Sequence, residues 1–279
     1  MFNTIMSAAQ LQSSLDDPNW VILDCRFNLM EPDAGYAAYM EGHIPGAFYL
    51  HLDEHLSSPI TGQSGRHPLP NPQELAELLG RCGVTRKSQV VVYDDCAGMM
   101  AARCWWLLRY IGHDQVALLD GGIQSWGDAG GELTQQQPVY NKECCSVELR
   151  PSANLSVDQL MSALAEGDIT LVDARAAERF RGEVEPIDPV AGHIPDALNR
   201  PLMDNLRDGY FKSAETLRQE WLALMGDQRS ERVVHMCGSG VTACHNQLAM
   251  EIAGLKGSRL YAGSWSEWIR NPARPVAKG

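Results

Sequence analysis

The sequence has no long hydrophobic run and no excess of basic residues. No apolar stretch approaches the roughly 20 residues that a helix needs to span a bilayer. Residues 1–15 do not combine a basic start with an apolar core, as a signal peptide would. Acidic residues outnumber basic ones by 35 to 23, and the formal net charge is −12. This balance argues against nucleic acid or an anionic membrane surface as a partner, so we expect a soluble cytoplasmic protein.

Paired cysteine motifs are also missing. The chain has 8 cysteines in 279 residues, scattered and without a Cys-x-x-Cys pair. Disulfide frameworks are typical of small secreted domains, so this distribution indicates a reducing compartment. A metal cluster of His235, Cys237, Cys244 and His245 is disfavoured, because the first two stand at a strand end and the last two point to different helix faces. We expect no metal ion and no cofactor.

An internal repeat of domain size organises the chain. Four landmarks recur in one order: Asp-x-Arg, Gly-His-Ile-Pro, a β-branched run, and a Gly-x4-Trp ending. They occupy residues 21–26, 41–47, 89–95 and 118–126 in the first copy, and 171–175, 191–197, 232–237 and 260–268 in the second. The length suits two domains of ordinary size. We predict an N-terminal domain over residues 1–135, a polar linker over 136–151 and a C-terminal domain over 152–279.

Short apolar runs alternate with amphipathic stretches in both copies. The amphipathic stretches are residues 72–79 and 101–111 in the first copy, and 157–165 and 214–224 in the second. Such alternation predicts an α/β fold, in which each domain is a mostly parallel sheet with helices on both faces. Ligands of such sheets bind beyond the carboxyl ends of the strands.

A cysteine stands at one of these predicted strand ends. Residues 232–243 read as a short buried strand, a tight loop that begins at Cys237, and a helix. Two glycines in the loop let backbone N–H groups turn inward, and the helix N-terminus adds partial positive charge. Such a pocket favours the thiolate, the nucleophilic form of cysteine. The expected participants are Cys237, the Ser239 hydroxyl, and the backbone N–H groups of Gly238, Gly240, Val241 and Thr242.

Together, the paired motifs and the Cys-Gly-Ser-Gly-Val-Thr loop resemble the two-domain rhodaneses, the thiosulfate and 3-mercaptopyruvate sulfurtransferases. The resemblance extends from about Val21 to Trp268. It implies that Cys237 accepts a sulfane sulfur as a persulfide and passes it to a thiol or cyanide in a ping-pong mechanism. It also implies a catalytically silent first domain with an aspartate in place of the cysteine. The sequence register assigns this place to Asp95.

The same resemblance assigns further site residues. The first copy carries extra residues between its Gly-His-Ile-Pro motif and its next strand, within segment 48–72. In mercaptopyruvate enzymes an aspartate and a histidine of this segment approach the cysteine and serine, and the matching residues are Asp53 and His67. The alternative is a solvated surface loop. We interpret His43 and His193 as structural, because a residue repeated in the silent domain is not needed for catalysis.

An anionic donor needs a cation, and the resemblance assigns this role to Arg181. A guanidinium binds a carboxylate or sulfonate bidentately. Arg179 is interpreted as a neighbouring surface charge. Mercaptopyruvate enzymes commonly have a second arginine after Glu-Pro, where this chain has Ile187, so we expect Ile187→Arg to lower KM for the keto acid if that vacancy matters. The absence of basic residues directly after Cys237 favours mercaptopyruvate over thiosulfate.

Three other functions are weighed against sulfur transfer to a small molecule. Cysteine phosphatases on this scaffold need an arginine six positions after the nucleophile, and Ala243 occupies that place. A non-catalytic tandem binding module would not need Cys237 in an anion-binding loop. A carrier that delivers persulfide to a partner protein shares the first half-reaction, and only acceptor kinetics would distinguish it. The oligomeric state stays open.

Overall fold

The computed structural model describes residues 1–140 and 145–279, so residues 141–144 of the predicted linker lie outside the described residues. The chain divides into two compact units. The first unit comprises Met1–Ser58 and Leu69–Arg150, and the second comprises Pro59–Pro68 and Pro151–Gly279. Segment 59–68 therefore groups with the second unit although it precedes most of the first in the chain. In the described ranges, no helix is both long enough and apolar enough to cross a bilayer.

The first unit contains a five-stranded parallel sheet. Its strands are β1 (Ile5–Met6), β2 (Trp20–Asp24), β3 (Phe48–Tyr49), β4 (Gln89–Tyr93) and β5 (Val116–Leu119), and their order in the sheet is β1-β5-β4-β2-β3. Its helices are α1 (Ala8–Gln12), α2 (Ala34–Glu41), α3 (Leu52–His55), α4 (Pro72–Arg81), α5 (Ala101–Tyr110) and α6 (Gly122–Asp128). The central strand β4 is buried throughout, as expected for a parallel sheet covered by helices.

The second unit contains a four-stranded parallel sheet. Its strands are β6 (Thr170–Asp173), β7 (Leu198–Asn199), β10 (Val233–Met236) and β11 (Arg259–Leu260), in the order β11-β10-β6-β7. A separate antiparallel pair consists of β8 (Leu206–Arg207) and β9 (Tyr210–Phe211). The helices of the second unit are α7 (Val157–Ala165), α8 (Ala177–Phe180), α9 (Ala214–Met225), α10 (Ala243–Ile252) and α11 (Ser264–Trp268). These two units confirm the predicted α/β fold.

The repeated Asp-x-Arg motifs brace the ends of equivalent strands. In the second unit, Arg175 Nη2 donates to Asp173 Oδ2 at 2.7 Å and to the Gly192 carbonyl at 2.8 Å. Arg26 binds Asp24 in the same way in the first unit. All four of these charged side chains are nearly inaccessible to solvent. Buried guanidinium and carboxylate groups stabilise only when paired, so this geometry supports a structural role for both motifs.

The two Gly-His-Ile-Pro histidines are also held by backbone groups. His43 Nδ1 lies 2.8 Å from the Tyr39 carbonyl oxygen, and His193 Nδ1 lies 2.8 Å from that of Phe180. Each imidazole ring also stacks on the ring of its partner. The same arrangement in both units supports a structural role for both histidines.

Candidate active site

The loop that begins at Cys237 lies at the carboxyl end of the second sheet. It directly follows β10, whose four residues are buried between β6 and β11. The Cys237 N–H donates to Ser264 Oγ at 3.1 Å, and the Cys237 carbonyl accepts the Trp265 N–H at 3.1 Å. The cysteine backbone is therefore fixed on both sides by the start of α11.

The Cys237 sulfur accepts a backbone hydrogen bond inside this loop. Gly240 N–H lies 3.1 Å from Sγ, and the cysteine is 1% exposed. Gly240 has φ of +78°, and a Cβ atom there would lie 2.2 Å from the Ala262 carbonyl oxygen. Only glycine fits this backbone position. The geometry that aims an N–H at the sulfur thus depends on the second glycine of the loop.

The other predicted amide donors lie in the same loop but donate no hydrogen bond to the sulfur. Among the described residues, Gly240 alone donates an N–H hydrogen bond to Cys237 Sγ. Gly238 and Val241 are buried, and Thr242 occupies the N-cap position of α10 without a side-chain capping hydrogen bond. The participation of these three N–H groups in binding an anion stays a prediction.

Segment 59–68 brings His67 to Ser239. His67 Nδ1 lies 2.7 Å from Ser239 Oγ, and both residues are buried. The segment is anchored by the Arg66 N–H, which donates to Ser266 Oγ at 3.0 Å. Gly65 packs so closely that a Cβ atom there would lie 2.5 Å from the Gly263 carbonyl oxygen. The serine and histidine thus form a positioned pair beside Cys237.

Asp53 belongs to the first unit, in helix α3. It is exposed, and its N–H donates to His51 Nδ1 at 3.2 Å. Partial burial of the carboxyl raises its pKa, which the nearby His51 opposes. The approach of Asp53 to Cys237 stays a prediction.

Two guanidinium groups lie over Gly238, and neither belongs to the predicted anchor. A Cβ atom built on Gly238 would lie 3.0 Å from Arg66 Nη2 and 3.7 Å from Arg179 Nη2. The Arg181 guanidinium instead binds both oxygens of Glu183, at 2.7 and 3.0 Å, and its side chain is 44% exposed. The structure therefore brings Arg179, interpreted above as a surface charge, to the loop together with Arg66, which the sequence interpretation missed.

Two buried carboxylates hold these guanidinium groups. Glu185 Oε1 accepts a hydrogen bond from Arg179 Nη2 at 2.7 Å. It also accepts hydrogen bonds from the N–H groups of Ile187 and Asp188, at 3.1 Å each. Asp188 forms an ion pair with Arg66 through Oδ1, and its Oδ2 lies 3.5 Å from Arg179 Nη2. Burial acts to raise the pKa of Glu185, but the Arg179 bond and the two N–H bonds bring it below its ordinary value. Burial raises the pKa of Asp188, with Arg66 opposing it.

The residue equivalent to Cys237 in the first unit is Asp94, and the prediction of Asp95 was wrong by one position. In the two sheets, Tyr93 lies opposite Asp24 as Met236 lies opposite Asp173. The next residues along β4 and β10, Asp94 and Cys237, are therefore equivalent. Two adjacent aspartates made the sequence register ambiguous, and only the strand pairing resolves it.

The Asp94 carboxylate fills the anion-binding loop of the first unit. It accepts four backbone N–H groups, from Cys96, Gly98, Met100 and Ala101, at 2.8 to 3.0 Å. The loop built by this fold at the end of its central strand thus binds a negative charge by main-chain amides. In the second unit the group at that position is a thiol.

The structure thus defines a class of protein with two repeated α/β units, in which the second unit carries a cysteine at the carboxyl end of its parallel sheet and the cysteine sulfur accepts a loop N–H. A family model described as the Rhodanese-like domain matches residues 7–129 and 156–271. The chain belongs to the rhodanese family, and it is a sulfurtransferase.

Named relatives cover nearly the whole chain. A probable 3-mercaptopyruvate sulfurtransferase of Pseudomonas aeruginosa is 49% identical over 99% of this chain and 98% of its own length. The thiosulfate sulfurtransferase of Mus musculus is 31% identical over 100% of this chain and 95% of its own. The crystal structure of SseA from Escherichia coli, a 3-mercaptopyruvate sulfotransferase with the rhodanese fold, is 31% identical, with a TM-score of 0.82. It covers 95% of this chain and 100% of SseA.

Proposed function

We propose that this enzyme moves sulfur from 3-mercaptopyruvate to a thiol or cyanide through a persulfide on Cys237. The observation that carries the proposal is the Gly240 N–H aimed at the Cys237 sulfur from a loop that only glycine can form. The Cys237 thiolate attacks the donor sulfur, the carbon–sulfur bond breaks, and its electron pair leaves on the enolate of pyruvate, which then takes up a proton. An acceptor thiolate or cyanide next attacks the outer sulfur of the persulfide, and the Cys237 thiolate is released.

Both resting states of this cycle are anions on the same side chain. The thiolate and the persulfide each need a site that stabilises negative charge away from bulk water. The Asp94 loop, in which four N–H groups bind a carboxylate, supports this use of the equivalent loop. The described cysteines are all free, which fits a reducing compartment, and we place the enzyme in the cytoplasm.

The Ser239–His67 pair is proposed to stabilise and protonate the leaving group. The enolate that departs from the donor carries a negative oxygen, which a hydroxyl donor stabilises and can protonate. Ser239 Oγ lies within hydrogen-bond distance of His67 Nδ1, so a proton given by the serine can be replaced from the imidazole. We retain Asp53 as the proposed third member of this group.

The charge around the loop supports a carboxylate-bearing donor. The residues that follow Cys237 carry no charge, so the cation must come from elsewhere in the unit. Arg179 lies over Gly238 and is oriented by Glu185. We therefore reassign the donor anchor from Arg181 to Arg179.

Parallel steady-state kinetics with 3-mercaptopyruvate and thiosulfate, each with cyanide and with a thiol acceptor, test the proposed function. We expect the higher kcat/KM with 3-mercaptopyruvate, because the loop lacks the basic residues of thiosulfate enzymes. Double-reciprocal plots at several acceptor concentrations should be parallel, as a ping-pong mechanism requires. A higher kcat/KM with thiosulfate would overturn the choice of donor. Persulfide formation without turnover on either acceptor would instead favour a carrier.

Replacing Ser239 by alanine is expected to lower kcat with 3-mercaptopyruvate by about 100-fold, the scale of general acid catalysis. His67→Gln should have a similar effect, and the double variant should lose little more, because the two residues act as one unit. Ser162→Ala, an exposed serine on α7, is the matched control. Full additivity of the two losses would contradict the proposed relay.

A further inference from the structure

We propose that Arg66 supplies the second guanidinium that binds the donor carboxylate, in place of the arginine that this chain lacks at Ile187. The inference rests on the proposed function and names a specificity residue for it. In chain order Arg66 is far from Cys237, but it belongs to the same compact unit through segment 59–68. Ile187 itself is 42% exposed.

The two ends of the Arg66 guanidinium have different surroundings. Nη1 forms the ion pair with Asp188, whereas Nη2 is the atom nearest to a Cβ position on Gly238, at 3.0 Å. Within the described ranges, neither Nη2 nor Nε of Arg66 has a hydrogen-bond partner. A guanidinium held at one nitrogen and open at the others is prepared to bind a carboxylate with two parallel hydrogen bonds.

Asp188 places the two arginines side by side. One of its oxygens binds Arg66, and the other lies 3.5 Å from Arg179 Nη2, which Glu185 already holds at 2.7 Å. The Asp188 side chain is 3% exposed, so leaving its charge unpaired would be costly and the Arg66 pair is retained. Two positive groups thus converge over Gly238, directly beside the nucleophile.

The backbone of Arg66 is fixed as firmly as its side chain. Its N–H is bound by Ser266 Oγ, the preceding Gly65 is packed against the Gly263 carbonyl, and the following His67 contacts Ser239. Two adjacent residues of one segment therefore face the site. Arg66 faces the proposed carboxylate position over Gly238, and His67 faces the hydroxyl of Ser239. An ion pair between Arg66 and Asp188 that served only the surface would not need a backbone fixed in this way.

Arg66→Gln in the full chain tests the inference. We expect KM for 3-mercaptopyruvate to rise about 10- to 100-fold, the loss of one or two charge-assisted hydrogen bonds. We expect kcat, and discharge of a preformed persulfide by a thiol, to change by less than about threefold, because neither step needs the carboxylate anchor. Arg66→Lys keeps the charge but not the planar fork, so its KM for 3-mercaptopyruvate should lie between those of the unmodified enzyme and of Arg66→Gln. Arg229→Gln, at an exposed ion pair with Glu231, is the matched control.

A rescue experiment separates an anchor from a structural residue. If Arg66 does the work of the missing arginine, Ile187→Arg should hardly alter KM in the otherwise unchanged enzyme, but should lower the raised KM of the Arg66→Gln variant. An unaltered KM in Arg66→Gln, or a loss confined to kcat or to thermal stability, would overturn the inference. Either result would leave the proposed function intact, whereas absence of turnover by the unmodified enzyme with any sulfane donor would refute that function itself.

Discussion

Cys237→Ser is expected to abolish sulfur transfer from either donor, with a loss in kcat/KM of at least about 10⁴-fold, comparable to the removal of other nucleophiles. An alcohol is far less nucleophilic than a thiolate at neutral pH and cannot store a sulfane sulfur as a persulfide. The smaller hydroxyl still fits at the end of β10 and can accept the Gly240 N–H, so folding should be retained. The effect should therefore appear in chemistry and not in the yield of folded protein.

Intact-protein mass measurement after exposure to 3-mercaptopyruvate checks this result directly. The unmodified enzyme should gain the mass of one sulfur atom, which cyanide then removes. The serine variant should gain none, while Cys145→Ser, a substitution at a cysteine elsewhere in the chain, should behave like the unmodified enzyme. Persulfide formation in Cys237→Ser would assign the nucleophile to another cysteine.

Gly240→Ala is expected to have the second largest effect, lowering kcat/KM by about 10²- to 10³-fold, the scale of losing one oriented amide donor. Its backbone φ of +78° is unfavourable for alanine, and the new Cβ would lie 2.2 Å from the Ala262 carbonyl oxygen. The loop must therefore shift, and the N–H that binds the sulfur shifts with it. We also expect a stability loss of at least about 1–3 kcal/mol from the backbone strain alone.

Gly209→Ala provides the matched control for this substitution. Gly209 has a similar φ, +83°, but no atom lies within 4 Å of its Cβ position. It should show the strain penalty in thermal unfolding while kcat/KM stays unchanged. Equal kinetic behaviour of the two alanine variants would contradict the role of the Gly240 N–H.

The fold was predictable from the sequence, and so was the strand and glycine loop around Cys237. Four amphipathic stretches predicted helices that the structure confirms as α4, α5, α7 and α9. The Cys237 loop was recognisable because two glycines directly after a β-branched run have a specific local meaning, a backbone that turns its N–H groups inward. These are short-range signals, because each pattern is complete within a few consecutive residues.

The cation site was not predictable in the same way. Arg179 and Arg181 are two positions apart on or beside α8, and residues so spaced on a helix point to nearly opposite sides. The sequence alone gave no reason to choose between them, and the structure turns Arg179 toward Gly238. Arg66 was missed because its partner Asp188 lies more than one hundred positions away, so only the folded chain brings the pair together.

Segment 59–68 determines how the two units are arranged along the gene. A polypeptide that began at residue 151 would keep Cys237 with its strand and loop, but would have neither Arg66 nor His67. The second unit is thus encoded in two separate stretches of the gene, and the shorter one is embedded within the coding sequence of the first unit. An insertion or deletion within residues 59–68 would therefore alter the second unit, although this segment lies between the two parts of the first unit in the chain.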